Sequence, residues 1–224
     1  MSKRVLILVE GATEERFVKD VLAPAFWTRS MFISPTLLVT KRVKDGPNFK
    51  GGVTNFAKFR NDADRLLNSA GGALVTTMLD YYRLPSDFPG MDSRPPNGTP
   101  EQRVQHVEAA VGSHFGSPGN FVPFFALHEF EAWLFSSPSE LPKAMTEPEK
   151  QPRFEEIRAG VSTPEDINER PEFAPSKRIE ALFPAYKKTL HGPLTAKRIG
   201  LDGIRSECPH FDHWIKILED FASV

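Results

Sequence analysis

The feature that most constrains the fold is an unbroken apolar run at residues 5–9, which ends directly in Glu10 and Gly11. A β-branched run without polar alternation is typical of a strand buried on both faces, as in a parallel sheet. Such a short run cannot span a bilayer, so no membrane partner is expected. The run therefore predicts the first strand of a sheet that is covered by helices on both sides.

Strand and helix patterns alternate after this run. Further strands are predicted at residues 31–40, 73–79 and 121–127. Helices are predicted from Thr13, as N-cap, at residues 56–67 and at residues 101–111. Pro35 marks a bend or an edge position in the second strand.

This alternation predicts an α/β domain over residues 1–137, with a mostly parallel sheet flanked by helices. Residues 138–224 are rich in prolines and charges and carry no convincing strand pattern. We expect them to form a helical extension that packs on the α/β domain.

Composition excludes several classes of protein. Hydrophobic residues make up 40% and charged residues 25% of 224 residues, which suffices for a globular core and excludes a disordered chain. The single cysteine, Cys208, excludes an internal disulfide and, without a signal-peptide pattern, favours the cytoplasm. The formal net charge of -1 means that any nucleic-acid surface must arise from local charge asymmetry.

Acidic residues follow three of the predicted strands. The positions are Glu10, Asp80, Glu129 and Glu131, and Glu14 follows Glu10 by about one helical turn. Because the carboxyl ends of parallel strands meet at one edge of a sheet, these carboxylates are expected to converge. A carboxylate set without cysteine or histidine ligands suits Mg²⁺ or Mn²⁺. Each acid alone is also an ordinary helix-start or turn residue, but acids after three strands favour the metal interpretation.

The first acidic segment resembles the opening motif of Toprim domains, the catalytic module of topoisomerases, primases and overcoming-lysogenisation-defect nucleases. The resemblance is carried by the apolar strand, by Glu10 and Gly11, and by Glu14 one turn later. Asp80 matches the second motif in part, because the family has Asp-x-Asp there and this chain has Tyr82 in the second acidic position. Whether Tyr82 abolishes catalysis stays open.

Longer segments are similar to a bacterial family called domain of unknown function 4276, over nearly the whole chain. The segments are residues 9–14, 79–90, 128–134, 174–179 and 208–214. Related abortive-infection nucleases carry a Phe-Glu-x-Trp-Leu element, which places Glu131 in the acidic position. The resemblance implies anti-phage defence beside an ABC- or AAA-type ATPase partner.

Two basic regions are candidates for contact with phosphate. Lys177 and Arg178 follow a proline at a predicted helix start, where two cations and the helix N-terminus would meet one phosphate. An ordinary N-capped basic helix explains them equally well. In residues 41–65, basic residues outnumber acidic ones, and a solvated surface is the alternative to a nucleic-acid contact. Its first basic residues are Lys41, Arg42 and Lys44.

Together these features predict a Mg²⁺- or Mn²⁺-dependent endonuclease acting on DNA or RNA. The expected metal ligands are Glu10, Glu14, Asp80 and Glu131. Catalysis would involve Glu10 and Asp80 at the metal, Glu131 to hold a second ion or orient water, and Lys177 to offset negative charge. Arg178 would join residues 41–44 in binding nucleic acid. A non-catalytic regulatory subunit of an ATPase complex and a nucleotidyl transferase remain alternatives.

Overall fold

The computed structural model describes residues 2–38, 53–167 and 173–223. Its strands form a parallel sheet in the order β2-β1-β3-β4, and β5 pairs with β3 farther along that strand. The strands are β1 (Lys3–Val9), β2 (Met31–Leu37), β3 (Leu74–Asp80), β4 (Phe121–Val122) and β5 (Phe125–Ala126). The predicted α/β fold with a mostly parallel sheet and a helical C-terminus is confirmed.

Helices cover the sheet, and they are the regular secondary structure of the described chain after β5. The α-helices are α1 (Ala12–Phe17), α2 (Ala23–Phe26), α3 (Phe56–Ser69), α4 (Pro100–His114), α5 (Glu140–Ala144), α6 (Gln151–Ala159), α7 (Pro175–Leu182), α8 (Lys188–Ile199), α9 (Leu201–Glu207) and α10 (Pro209–Ser223). A π-helical turn, Val18–Leu22, joins α1 to α2. Short 3-10 helices lie at Trp27–Arg29, Tyr81–Arg83, Phe130–Ser136, Pro148–Lys150 and Pro164–Asp166.

The start of α1 differs from the prediction. Gly11 occupies the N-cap position and offers no side-chain hydrogen bond, and the helix begins at Ala12. Thr13 is buried inside the helix. The predicted Thr13 N-cap is therefore wrong, because the chain turns into the helix immediately after Glu10.

Each face of the sheet has its own apolar core. On one face, Val5, Ile7 and Val9 pack with buried side chains that include Phe17 of α1 and Trp214 of α10. On the other face, a second core joins the strands to α3 and α4. The predicted burial of β1 on both faces is confirmed. The boundary predicted after residue 137 stays a prediction, and the first core contains side chains from both parts of the chain.

The strand predicted at residues 121–127 is interrupted in its middle. Pro123 has no N–H to donate to a ladder, and β4 ends before it. The hydroxyl of Thr77 on β3 accepts a hydrogen bond from the N–H of Phe124 (2.8 Å) and donates to its carbonyl (2.7 Å). A side chain thus replaces the backbone pairing at the break, and β5 resumes the pairing with β3.

Pro35 lies in β2, the strand at one edge of the sheet, so its predicted edge position is confirmed. The ladder with β1 ends at Leu37.

Among the described residues, no helix has the length and apolar character needed to cross a membrane.

Candidate functional site

Five acidic side chains come together where β1, β3 and β5 end. They are Glu10, Glu14, Asp80, Glu129 and Glu131, and we call them the acidic cluster. The carboxyl group of Asp80 experiences repulsion from each of the other four. The structure therefore brings the four predicted metal ligands into one electrostatic environment, together with Glu129.

Glu10 and Asp80 come from neighbouring strands and are linked through the backbone. The N–H of Asp80 donates to Oε2 of Glu10 (3.2 Å), and the N–H of Phe130 donates to Oδ1 of Asp80 (3.0 Å). Burial raises the pKa of Glu10. Burial, followed by repulsion from Glu10 and Glu14, holds the pKa of Asp80 well above its ordinary value. Both residues keep partial contact with solvent.

Glu14 lies in the first turn of α1 and is only 9% exposed. A Cβ atom on Gly11 would lie 3.3 Å from Oε2 of Glu14, closer than most such contacts. The glycine therefore gives this carboxylate room beside the turn. Burial is the main cause that raises the pKa of Glu14 to about 7, and repulsion from Glu10 and Glu131 adds to it.

Glu129 is almost fully buried and has one hydrogen-bond donor and one ion-pair partner. The N–H of Ser176, at the start of α7, donates to its Oε2 (3.0 Å). The Arg83 guanidinium lies 3.6 Å from its Oε1, and the Arg83 side chain is 53% exposed. Glu129 is thus engaged by protein groups on both of its oxygens.

Glu131 is also buried and receives its donors from the segment that leads into α8. The Lys188 ammonium lies 3.2 Å from Oε2 of Glu131, and the Tyr186 hydroxyl donates to Oε1 over 3.5 Å. Burial raises the pKa of Glu131. Burial lowers the pKa of Lys188, but attraction to the carboxylates outweighs it, so that pKa is raised overall. Lys188 therefore stays charged at neutral pH.

Two features fix α8 beside the cluster. A Cβ atom on Gly192 would lie 3.2 Å from both Phe130 and the Tyr186 hydroxyl, so this close approach favours glycine. Pro193, inside α8, has no N–H and leaves the Thr189 carbonyl without its intrahelical donor. Arg16 of α1 donates to that carbonyl instead (2.7 Å). This bond ties the first turn of α8, which carries Lys188, to the helix that carries Glu14.

Carboxyl groups outnumber basic groups at this site. Five carboxylates face two nearby cations, Arg83 and Lys188, which leaves three negative charges uncompensated if all the acids ionise. Carboxylate oxygens are the ligands that Mg²⁺ and Mn²⁺ prefer, so the chemistry of the donor set fits these ions. Within residues 2–38, 53–167 and 173–223, however, no three side chains are arranged as a ready metal site. Glu10 and Asp80 accept backbone hydrogen bonds instead.

The predicted phosphate-binding residues of α7 lie outside the cluster. The Lys177 ammonium pairs with Glu180 on the surface (2.7 Å). The Arg178 side chain donates to the Phe173 carbonyl (2.8 Å). Their proposed roles stay predictions, and the lysine that reaches the acids is Lys188, for which the sequence carries no local signal. The candidates Lys41, Arg42 and Lys44 lie outside the described residues.

Tyr82 and His128 lie at the rim of the site. Tyr82, in the position of the second Toprim acid, is 38% exposed, and its N–H donates to the His128 carbonyl (3.3 Å). His128 adopts a φ of 68°, which is uncommon outside glycine. Its Nε2 is buried without a hydrogen-bond partner in the described structure. Burial lowers the pKa of His128 to about 4, so the ring is neutral at pH 7.

A family model described as a domain of unknown function, DUF4276, matches residues 9–219. The chain belongs to this family. Comparison with curated proteins and with solved structures gave no significant match. All five residues of the acidic cluster, and Lys188, lie within the part of this DUF4276 protein that the family model matches.

Proposed function

We propose that this DUF4276 protein is a divalent-metal-dependent nuclease that cleaves phosphodiester bonds in DNA or RNA. The observation that carries the proposal is the excess of largely buried carboxyl groups over basic groups at the carboxyl edge of the sheet. Such an excess is costly unless a cation joins the carboxylates. Mg²⁺ or Mn²⁺ would be held by Glu10, Glu14, Asp80 and Glu131.

The chemistry that such an ion supplies is polarisation of the scissile phosphate and stabilisation of the leaving oxygen. Glu131, oriented by Lys188 and Tyr186, would position the attacking water or help hold a second ion. Lys188 and Arg83 are partly exposed and would attract the phosphate to the site. In this proposal Lys188 takes the charge-offsetting role that the sequence suggested for Lys177.

The resemblance of residues 5–14 to the first Toprim motif supports the same reaction. By that resemblance we further propose that the protein is a cytoplasmic effector of anti-phage defence with an ABC- or AAA-type ATPase partner. The segments around Asp80 and Glu131 support the link to overcoming-lysogenisation-defect and abortive-infection nucleases.

The test is cleavage by the purified protein of labelled duplex DNA, single-stranded DNA and RNA, with Mn²⁺, Mg²⁺ or a chelator. Glu10→Gln and Glu14→Gln should each slow metal-dependent cleavage at least about a hundredfold, because each removes a metal ligand. Glu15→Gln is the matched control, because Glu15 follows Glu14 directly but pairs with Lys19 on the surface. Absence of cleavage with every substrate and metal, or wild-type cleavage by Glu10→Gln, would contradict the proposal.

A non-catalytic subunit of an ATPase complex is the second candidate. It is favoured by Tyr82, which is exposed where Toprim enzymes carry their second acid. This alternative predicts that wild-type protein does not cleave nucleic acid and that substitution of Glu10 does not change this result. A Tyr82→Asp variant that acquires cleavage would identify a lapsed site. Incorporation of labelled nucleotides in the same reactions would indicate a nucleotidyl transferase.

A further inference from the structure

Helix α8 carries a concentration of positive charge beside the acidic cluster. Residues 187–199 contain four lysines and arginines and no aspartate or glutamate. These residues are Lys187, Lys188, Lys197 and Arg198. Lys188 reaches into the cluster, whereas the other three are exposed to solvent. The helix thus combines one internal cation with an external basic surface.

Apart from Thr189, the exposed residues share one side of the helix, beginning with Lys187 at its N-cap position. At 3.6 residues per turn, they project within about 100° of one another and span about 16 Å along the axis. We call them the α8 face: Lys187, Leu190, Leu194, Lys197 and Arg198. Lys187 and Lys197 make no ion pair with any described residue, whereas Arg198 pairs with Glu140 (2.9 Å). Most of the positive charge on this face is therefore uncompensated.

The basic residues of α3 provide a contrast. Arg60 lies 3.5 Å from Asp64 and Arg65 lies 3.6 Å from Asp62, all on that helix. Lys58 donates to the Thr54 hydroxyl. Arg60 and Arg65 are neutralised within one helix and produce a weaker field than the unpaired charges of α8, so a polyanion is attracted more strongly to α8.

We propose that the α8 face binds the phosphate backbone of a nucleic acid and leads it to the acidic cluster at the N-terminal end of α8. Lys187 lies on the surface, and the next residue, Lys188, contacts Glu131 of the cluster. The basic surface therefore adjoins the acidic cluster at this end of α8. Contacts of lysine and arginine with phosphates position the substrate without reading its sequence. The proposal deepens the nuclease proposal and rests on it for the role of the cluster, but the binding itself requires no metal.

The test measures binding separately from cleavage. Anisotropy of a labelled duplex DNA of about 30 base pairs, and of an RNA strand of similar length, is followed in EDTA between about 50 and 200 mM KCl. The α8 variant is Lys187→Ala with Lys197→Ala and Arg198→Ala. The matched control is Lys19→Ala with Arg153→Ala and Lys216→Ala, each of which pairs with an acidic residue three or four positions away. Both remove three exposed cations. Melting temperatures establish that each is folded.

The α8 variant should bind at least about tenfold more weakly, and the slope of log affinity against log salt should fall by about 2 to 3. The control variant should keep the wild-type affinity and slope. If the triple α8 variant does not fold, Lys197→Ala alone should lower the slope by about 1. Wild-type protein that binds neither probe, an α8 variant that binds like wild type, or equal losses in both variants would overturn the proposal.

Cleavage assays distinguish this proposal from the nuclease proposal. If the α8 variant performs metal-dependent cleavage with the wild-type KM, the proposed binding role of the α8 face is wrong and the nuclease proposal stays intact. Binding that depends on α8, in a protein that cleaves nothing with any metal, would support the α8 face and contradict the nuclease proposal.

Discussion

The acidic cluster and the group formed by Glu165, His210 and Glu108 both bury carboxylates, but their neighbours differ. We call the second group the Glu165 network. Glu165 accepts hydrogen bonds from the N–H groups of His210 (2.8 Å) and Phe211 (3.1 Å) at the start of α10. Glu108 accepts from the N–H of Phe125 (2.8 Å) and lies 3.0 Å from Nε2 of His210. Here donors surround each carboxylate.

The pKa shifts in the two regions have different secondary causes. Burial raises the pKa of Glu165 to about 7, while the charge and backbone of His210 lower it. Burial also raises the pKa of Glu14 to about 7, but there the neighbouring acids raise it further. The donors of the Glu165 network are typical of a helix cap, whereas the acidic cluster contains mutual repulsion that a cation would relieve. The two regions therefore differ in the groups that surround their carboxylates, whereas Glu14 and Glu165 are both buried.

The largest expected effect concerns stability around the cluster. Trp133 is fully buried, with ring centroids 4.5 Å from Phe211 and 5.5 Å from Phe17. Trp133→Ala should lower the free energy of unfolding by about 3–5 kcal/mol in chemical denaturation, because it leaves a large cavity. Trp27→Ala is the control, since Trp27 is 63% exposed. Glu10→Gln should leave stability unchanged or raised, and a Glu10→Gln protein less stable than Trp133→Ala would contradict the assignment of site and core.

The second prediction separates the two regions by pH. Folded protein holds the Glu14 proton to about pH 7, whereas the unfolded chain releases it near the ordinary pKa of 4.5. The folded state binds more protons in this window, so the free energy of unfolding falls as pH rises through it. Glu14→Gln should remove that fall and stabilise the protein above pH 7, by up to about 3 kcal/mol.

Glu165→Gln should stabilise the protein less than Glu14→Gln at the same pH, because the pKa of Glu165 is also raised to about 7 but its carboxylate accepts two backbone hydrogen bonds. A glutamine offers one oxygen to two backbone donors, so one N–H at the start of α10 loses its partner, at a cost of about 1–3 kcal/mol. Urea denaturation at about pH 5 and pH 8 measures both variants. Equal stabilisation by the two substitutions at the higher pH would remove the distinction between the regions.

The smallest expected change in the free energy of unfolding concerns the backbone carbonyl of Thr189, whose donor is Arg16. Arg16→Ala should destabilise the protein by about 1 kcal/mol, because the Thr189 carbonyl loses its donor. In a Pro193→Ala background, the restored N–H should reduce that loss. A double-mutant cycle in urea measures the coupling between Arg16 and Pro193, and strictly additive effects would show that the carbonyl does not connect them.

The strands β1 and β3, and the acidic residues Glu10 and Asp80 that follow them, could be predicted because their signals are local in the sequence. The apolar run of β1 and the run before Asp80 each reveal a buried strand, and parallel strands bring their carboxyl ends together. Glu10 and Asp80 therefore followed from sequence position alone. The convergence of Glu14 with Glu10 followed from helical spacing.

The other features depend on contacts between distant segments. Lys188 contacts Glu131 only because α8 packs beside the 3-10 helix Phe130–Ser136. Arg16 contacts Thr189 only because α1 packs against α8. The break between β4 and β5 depends on the Thr77 hydroxyl of another strand. No periodicity in one segment contains this information, so the local patterns pointed to Lys177 and to a continuous strand.

Calorimetric titration of Mn²⁺ into the folded protein at about pH 8, where Glu14 is ionised, tests the central claim most directly. Wild-type protein and Glu165→Gln should bind Mn²⁺ alike, and Asp80→Asn should bind far more weakly. Identical isotherms for wild-type protein and Asp80→Asn, or no binding by wild-type protein, would contradict the assignment of the acidic cluster as a metal site.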